Sequence, residues 1–99
     1  MKTKETLIAA REIIASNWTD KGRAVNSNGD IVLPWDESAV AWDSTGAIYK
    51  ALACDFGADF PIMELQKQFD LDLSVVDEYL GKGEVLSGYD RAIESLSVE

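Results

Sequence analysis

The chain has 99 residues, enough for one domain with one modest core. Hydrophobic residues make up 46% and charged residues 27%, the balance of a folded globular domain. With no histidine, a single cysteine and a net charge of −9, the chain excludes an internal disulfide, a Cys/His zinc site and every histidine-based triad or dyad, and it disfavours direct contact with nucleic acid.

Thr3 is placed to cap a helix running to about Ser16. Leu7, Ala10, Ile14 and Trp18 recur at helical spacing, and Ile13 widens the stripe. Arg11 and Glu12 interrupt the apolar run that a signal peptide needs, and no run approaches the ~18 residues of a membrane span. No membrane association is expected, and one unpaired cysteine, Cys54, fits a reducing cytoplasmic setting, where it reads as a small buried hydrophobe.

Residues 23–33 read as a small β-hairpin. Ala24-Val25 and Asp30-Ile31-Val32-Leu33 flank Asn26-Ser27-Asn28-Gly29, and Asn-Gly is a strong tight-turn signal because both residues tolerate positive φ. Pro34 stops the ladder by removing a donor. Asp36 is a natural N-cap, with Trp35 and Val40 at the positions of a hydrophobic staple, so the spacing predicts a central helix from about Glu37 to Ala53. Gly46 inside it costs roughly 1 kcal/mol against alanine, which suggests that another backbone or an indole ring comes close there. After a break at residues 55–57, Ile62, Leu65 and Phe69 mark a third helix over 61–69. Ser74 and Asp77 resemble a capping box opening a short helix over 75–80, ended by Gly81. Val85, Tyr89, Ala92 and Leu96 give the apolar face of a last helix over 84–96. The sum is an α+β domain, mainly α, with four to five helices and one small hairpin.

Few motifs carry chemistry. Aligning Gly29 with the glycine of an EF-hand loop puts Ala24 and Trp35 where oxygen ligands are required, so calcium is not expected. Gly83 and Gly88 have the glycine spacing of a P-loop, but Tyr89-Asp90 replaces its Lys-Ser/Thr, and carboxylates surround a site that would need donors. No cofactor or metal is implied. Asp36, Glu37 and Asp43 are the nearest candidates for a carboxylate acid/base pair, although carboxylates at a helix start are more often caps. Trp18, Trp35 and Trp42 read first as core aromatics, with Trp35 the one expected to be partly exposed.

The spacing Trp18-x3-Gly22-x-Ala24, then Gly29-x2-Val32, then Ala39-Val40-x-Trp42-x3-Gly46-Ala47 resembles an uncharacterised domain-of-unknown-function family of bacteria and their phages. The closing VLSGYDRAIESL is similar to that family's terminal helix. One extra residue separates Trp18 from Gly22, and Asp43 stands where the family often has cysteine. The resemblance implies a compact helical domain of phage or mobile-element origin and supplies no catalytic residues.

Two functions are therefore expected to compete. The first is a small, acidic, non-enzymatic protein-interaction module, such as a phage accessory factor, whose partner has a basic surface. Residues 50–99 hold eleven acidic and four basic side chains, and eight of those carboxylates lie between Asp55 and Glu84. Asp70, Asp72, Asp77 and Glu78 belong to that stretch, which in the sharpest version imitates a nucleic-acid backbone and blocks a host defence protein. A solvated surface that only keeps the chain soluble explains the same charge. The second is an enzyme or small-ligand binder using Asp36, Glu37 and Asp43 beside Trp35 and Trp42, which requires a concave aromatic pocket with converging carboxylates.

Overall fold

The computed structural model describes residues 3–52, 60–69 and 72–96. Helix α1 spans Thr3–Ser16, strand β1 Ala24–Asn26, strand β2 Ala39–Trp42, helix α2 Ser44–Ala51, helix α3 Phe60–Phe69 and helix α4 Leu73–Ser95. The class is α+β, mainly α: the described residues form four helices and a two-stranded antiparallel sheet.

The apolar stripe of α1 does what its spacing requires. Leu7, Ala10 and Ile14 are fully buried and meet Ala47 and Ile48 of α2, Leu65 of α3, and Leu73, Val76, Val85, Tyr89 and Ala92 of α4 in one core. Each fully buried leucine or isoleucine contributes about 1.5–3 kcal/mol relative to an exposed one. Gly81 divides α4. Its φ of 78° and ψ of 174° are outside the helical region, in a conformation open to glycine and strained for other residues. The helix stop read at Gly81 is thus a kink between two helical pieces. Gly88, in the second piece, sits against the ring of Phe69; a Cβ there would lie 2.5 Å from Phe69 Cε1 and 2.8 Å from Cε2. Gly88→Ala is expected to lower stability by about 1–3 kcal/mol in urea unfolding. Adding Phe69→Leu should recover part of that loss; a second substitution that only deepens it would show that the ring is not the obstacle.

The expected helix over 37–53 is corrected. Residues 39–42 are extended, and only Ser44–Ala51 is helical within the described part of that range. The extended run is held from both sides. β1 pairs with it antiparallel, Ala24 facing Trp42 and Val25 facing Ala41, with an irregularity between Val25 and Asn26. On the other side Thr19 N–H donates to the Trp42 carbonyl and Trp42 N–H to the Asn17 carbonyl, both at 3.0 Å. These rungs satisfy backbone groups that a helix would have satisfied internally. The staple between Trp35 and Val40 is therefore not formed as helix packing, and Val40 is exposed on β2.

The turn of the expected hairpin is present, but its second strand over 30–33 is not: only Ile31 bridges β1 there, and β1 takes Ala39–Trp42 as its strand partner instead. Gly29, with φ of 85°, donates to the Asn26 carbonyl, and the Asn26 side chain accepts from the N–H groups of Asn28 and Asp30. Val25 faces Ile31 across it as an isolated bridge. β1 thus lies between residues 30–32 and β2. Cys54, Asp55 and Asp70 lie outside the described residues.

Candidate functional site

Two regions take up the residues singled out in the sequence, one inside the domain and one on its surface.

The interior region is built on the first turn of α2, where backbone N–H groups lack intrahelical partners. Asp43, not Asp36, is the N-cap: its Oδ1 accepts from Gly46 N–H at 2.6 Å. Its Oδ2 accepts from Arg23 Nη1 at 3.0 Å. Asp77 arrives from α4. Its Oδ1 accepts from Ser44 N–H at 3.0 Å and from Trp18 Nε1 at 2.8 Å, and its Oδ2 accepts from Ser44 Oγ at 2.7 Å. Tyr89, fully buried, donates to the Ser44 carbonyl at 2.5 Å. Asp77 therefore does not close a capping box on its own helix; its two oxygens bind Trp18 and Ser44. Two carboxylates at the positive end of one helix are favoured by its dipole and opposed by their own desolvation.

For Asp43 the desolvation wins. Burial pushes its pKa up from 3.8 to about 6, against the opposing pull of Gly46 N–H; the Asp77 charge adds to the rise and Arg23 counters it. The folded state therefore binds a proton more tightly than the unfolded chain. The associated stability is fully present below the unfolded pKa of about 3.9 and is lost as pH rises through about 6, a loss of order 3 kcal/mol. Asp43→Asn keeps an oxygen for Gly46 N–H but cannot titrate. The stability of the native chain relative to this variant, from urea unfolding, should fall between pH 4 and pH 7. A constant difference would mean that folding does not raise the pKa of Asp43.

The surface region is a shelf formed by the hairpin's second arm and the turn after it. An open cavity of about 540 Å³ is lined by Arg23, Ile31, Val32, Leu33, Pro34, Trp35, Asp36 and Tyr49. Ile31 is 70% and Leu33 56% exposed, beside the half-buried Trp35. Trp42 Nε1 donates to the Pro34 carbonyl at 2.7 Å, which ties the shelf to β2. Lys50 lies over the Trp42 ring, 5.8 Å from its centre. Asp36, expected to cap a helix, closes an Asx turn: one oxygen accepts from Ser38 N–H at 2.8 Å and from Ser38 Oγ at 2.7 Å. The Ser38 backbone bond, and then its hydroxyl, hold the Asp36 carboxyl below the usual range, so it stays anionic at the rim.

The candidate carboxylates are thus separated. Asp36 stands at the rim of the shelf, Glu37 is exposed in the turn beside it, and Asp43 is turned into the interior with Asp77. Asp72 and Glu78 are exposed at the surface of the α4 region. The required convergence of Asp36 and Asp43 on one aromatic pocket is not formed. Sequence reading missed Arg23, which reaches from the shelf to Asp43, and Ser44, the hub of the interior network. Neither belongs to a motif; only the pairing of β1 with β2 brings them there. Comparison with family models, with curated proteins and with solved structures gives no match to this chain.

Proposed function

We propose that this chain is a non-enzymatic protein-interaction module that meets a basic partner through the shelf around Leu33 and Trp35. The observation that carries this reading is the contiguous exposure of Ile31 and Leu33 beside an open cavity whose rim holds the anionic Asp36. Large apolar side chains grouped in this way mark contact surfaces more often than isolated ones do. Aromatic residues are enriched at such surfaces because they bury much area with few rotamers to freeze. The shelf's apolar wall, with Asp36 at its rim, Glu37 exposed beside it and the Arg23 guanidinium already paired with Asp43, suits an apolar side chain flanked by a cation.

The separation of Asp36 from Asp43 favours this reading over a carboxylate-based enzyme. Backbone mimicry by residues 55–84 is the weaker form of it, because Asp77 uses its charge inside the domain. A role as a phage or mobile-element accessory factor, which the family resemblance implies, fits such a module. The test is capture from bacterial lysate by the native chain and by Leu33→Asp over a range of salt. A protein held at low salt by the native chain and released by the substitution supports the reading. Equal capture by both, or none by either, overturns it.

A further inference from the structure

The shelf also carries a backbone feature that defines how a partner would sit. In the hairpin, Asn26 N–H donates to the Asp30 carbonyl and Val32 N–H to the Ala24 carbonyl, both at 3.0 Å. In an antiparallel ladder successive residues turn their N–H and C=O to opposite sides. Asp30 and Val32 therefore face β1, and Ile31 and Leu33 face away from it. The Leu33 carbonyl is taken by Asp36 N–H at 3.0 Å. Ile31 N–H, Ile31 C=O and Leu33 N–H have no hydrogen bond among the described residues. Backbone groups left unpaired in this way are turned to water, and they sit on the same arm as two exposed apolar side chains.

Such an edge is a template for another strand, and proteins commonly blunt it with lysine, proline or a covering loop. Residues 30–33 contain neither lysine nor proline. Pro34 ends the edge, so any guest is short. Charge selects the guest. Pairing two copies about Ile31 would bring together two chains of net charge −9, each with Asp30 beside the new rung. Like charges across a strand pair oppose pairing, and opposite charges favour it.

We propose that residues 30–33 accept a short, basic, extended segment of a partner protein as an added antiparallel strand. One guest residue exchanges both backbone hydrogen bonds with Ile31. The guest residue after it stands opposite Asp30 on the other face and is lysine or arginine. The guest residues opposite Ile31 and Leu33 are apolar, giving the pattern apolar-x-apolar-basic. Strand addition of this kind takes affinity from the main chain and specificity from alternate side chains. The proposal rests on the shelf being a protein contact and adds its geometry.

The probe is an acetylated, amidated peptide Thr-Val-Thr-Val-Lys-Thr, titrated into the full chain and followed through the backbone amide resonances. Shifts centred on Ile31 and Leu33, with slowed exchange of both amides, are expected. The same peptide N-methylated at the valine preceding lysine should lose those shifts, because its donor to Ile31 is gone. Glutamate in place of the lysine should weaken binding roughly fivefold or more, and Asp30→Lys should reverse that preference. Equal binding of the methylated peptide overturns strand addition while leaving the shelf as a contact surface. Absence of shifts at Ile31 and Leu33 at every salt concentration overturns it whatever the lysate capture gives. Concentration-dependent shifts of the same amides without peptide would identify a second copy as the occupant and also overturn it.

Discussion

Gly46→Ala should lower the stability of the domain by about 3 kcal/mol or more, a large share of the roughly 5–15 kcal/mol that holds a domain of this size folded. Helix propensity alone gives the opposite sign, since alanine is favoured over glycine by roughly 1 kcal/mol in a helix interior. Packing decides between them. A Cβ at Gly46 would fall on the Arg23 carbonyl oxygen, with the carbonyl carbon 2.6 Å away and Arg23 Cα 3.1 Å away. Arg23 cannot retreat cheaply, because Ala24 next to it is fixed opposite Trp42 and Asp43 N–H also approaches the Arg23 carbonyl at 3.4 Å. Gly83 provides the contrast: nothing lies within 4 Å of a Cβ there. Gly83→Ala should raise stability by up to ~1 kcal/mol. Urea midpoints of the two variants should move in opposite directions. Equal or parallel shifts would show that Gly46 is not pressed against the β1 backbone.

Asp77→Ala should cost about 3 kcal/mol or more, because it leaves several buried donors without an acceptor. The residue is 5% exposed and accepts three hydrogen bonds, from Trp18 Nε1, Ser44 N–H and Ser44 Oγ. Deleting the carboxylate leaves all three donors without an acceptor in the interior, and an unmet buried donor costs ~1–3 kcal/mol. Asp77→Asn keeps the shape and one acceptor oxygen and should fall between the native chain and Asp77→Ala. Trp18→Phe removes one donor together with its need and should cost less than either Asp77 variant. Thermal unfolding of the four chains fixes the order. Asp77→Ala within 1 kcal/mol of the native chain would mean that Trp18 and Ser44 find other partners.

What could be read from the sequence follows from how local each signal is. The α1 stripe, the turn at Asn28-Gly29 and the break at Gly81 are set by residues within a few positions, and each is present; a glycine inside an apolar run also marked the close approach at Gly46, although the backbone that comes close is Arg23, far from it in sequence. Residues 39–42 are different. Ala-Val-Ala-Trp continues an apolar spacing that suits a helix, and Asp36 and Asp43, seven residues apart, are both plausible caps. The choice was made elsewhere in the chain. β1 and the Asn17–Thr19 segment offer a ladder to that stretch from both sides, and the ladder leaves Asp43 as the first residue free to cap. Local spacing does not report such pairing. Asp77 was misplaced for the same reason: three residues after Ser74 it resembles part of a cap, while its partners are 59 and 33 residues away. Trp35 was found as a partly exposed aromatic because proline and aspartate on either side hold it in a turn.

The junction of Trp18, Ser44 and Asp77 also has a meaning for synthesis. A chain emerging from the ribosome possesses the indole and the first turn of α2 well before the carboxylate that joins them, and Tyr89, which closes on the Ser44 carbonyl, comes later still. Until α4 has been made, Trp18 Nε1 and Ser44 lack the Asp77 carboxylate that joins them. Closing so long a loop is a slow, entropically opposed event relative to forming a helix turn. The N-terminal half should therefore remain loosely collapsed during translation, and locking of the domain should coincide with the arrival of α4.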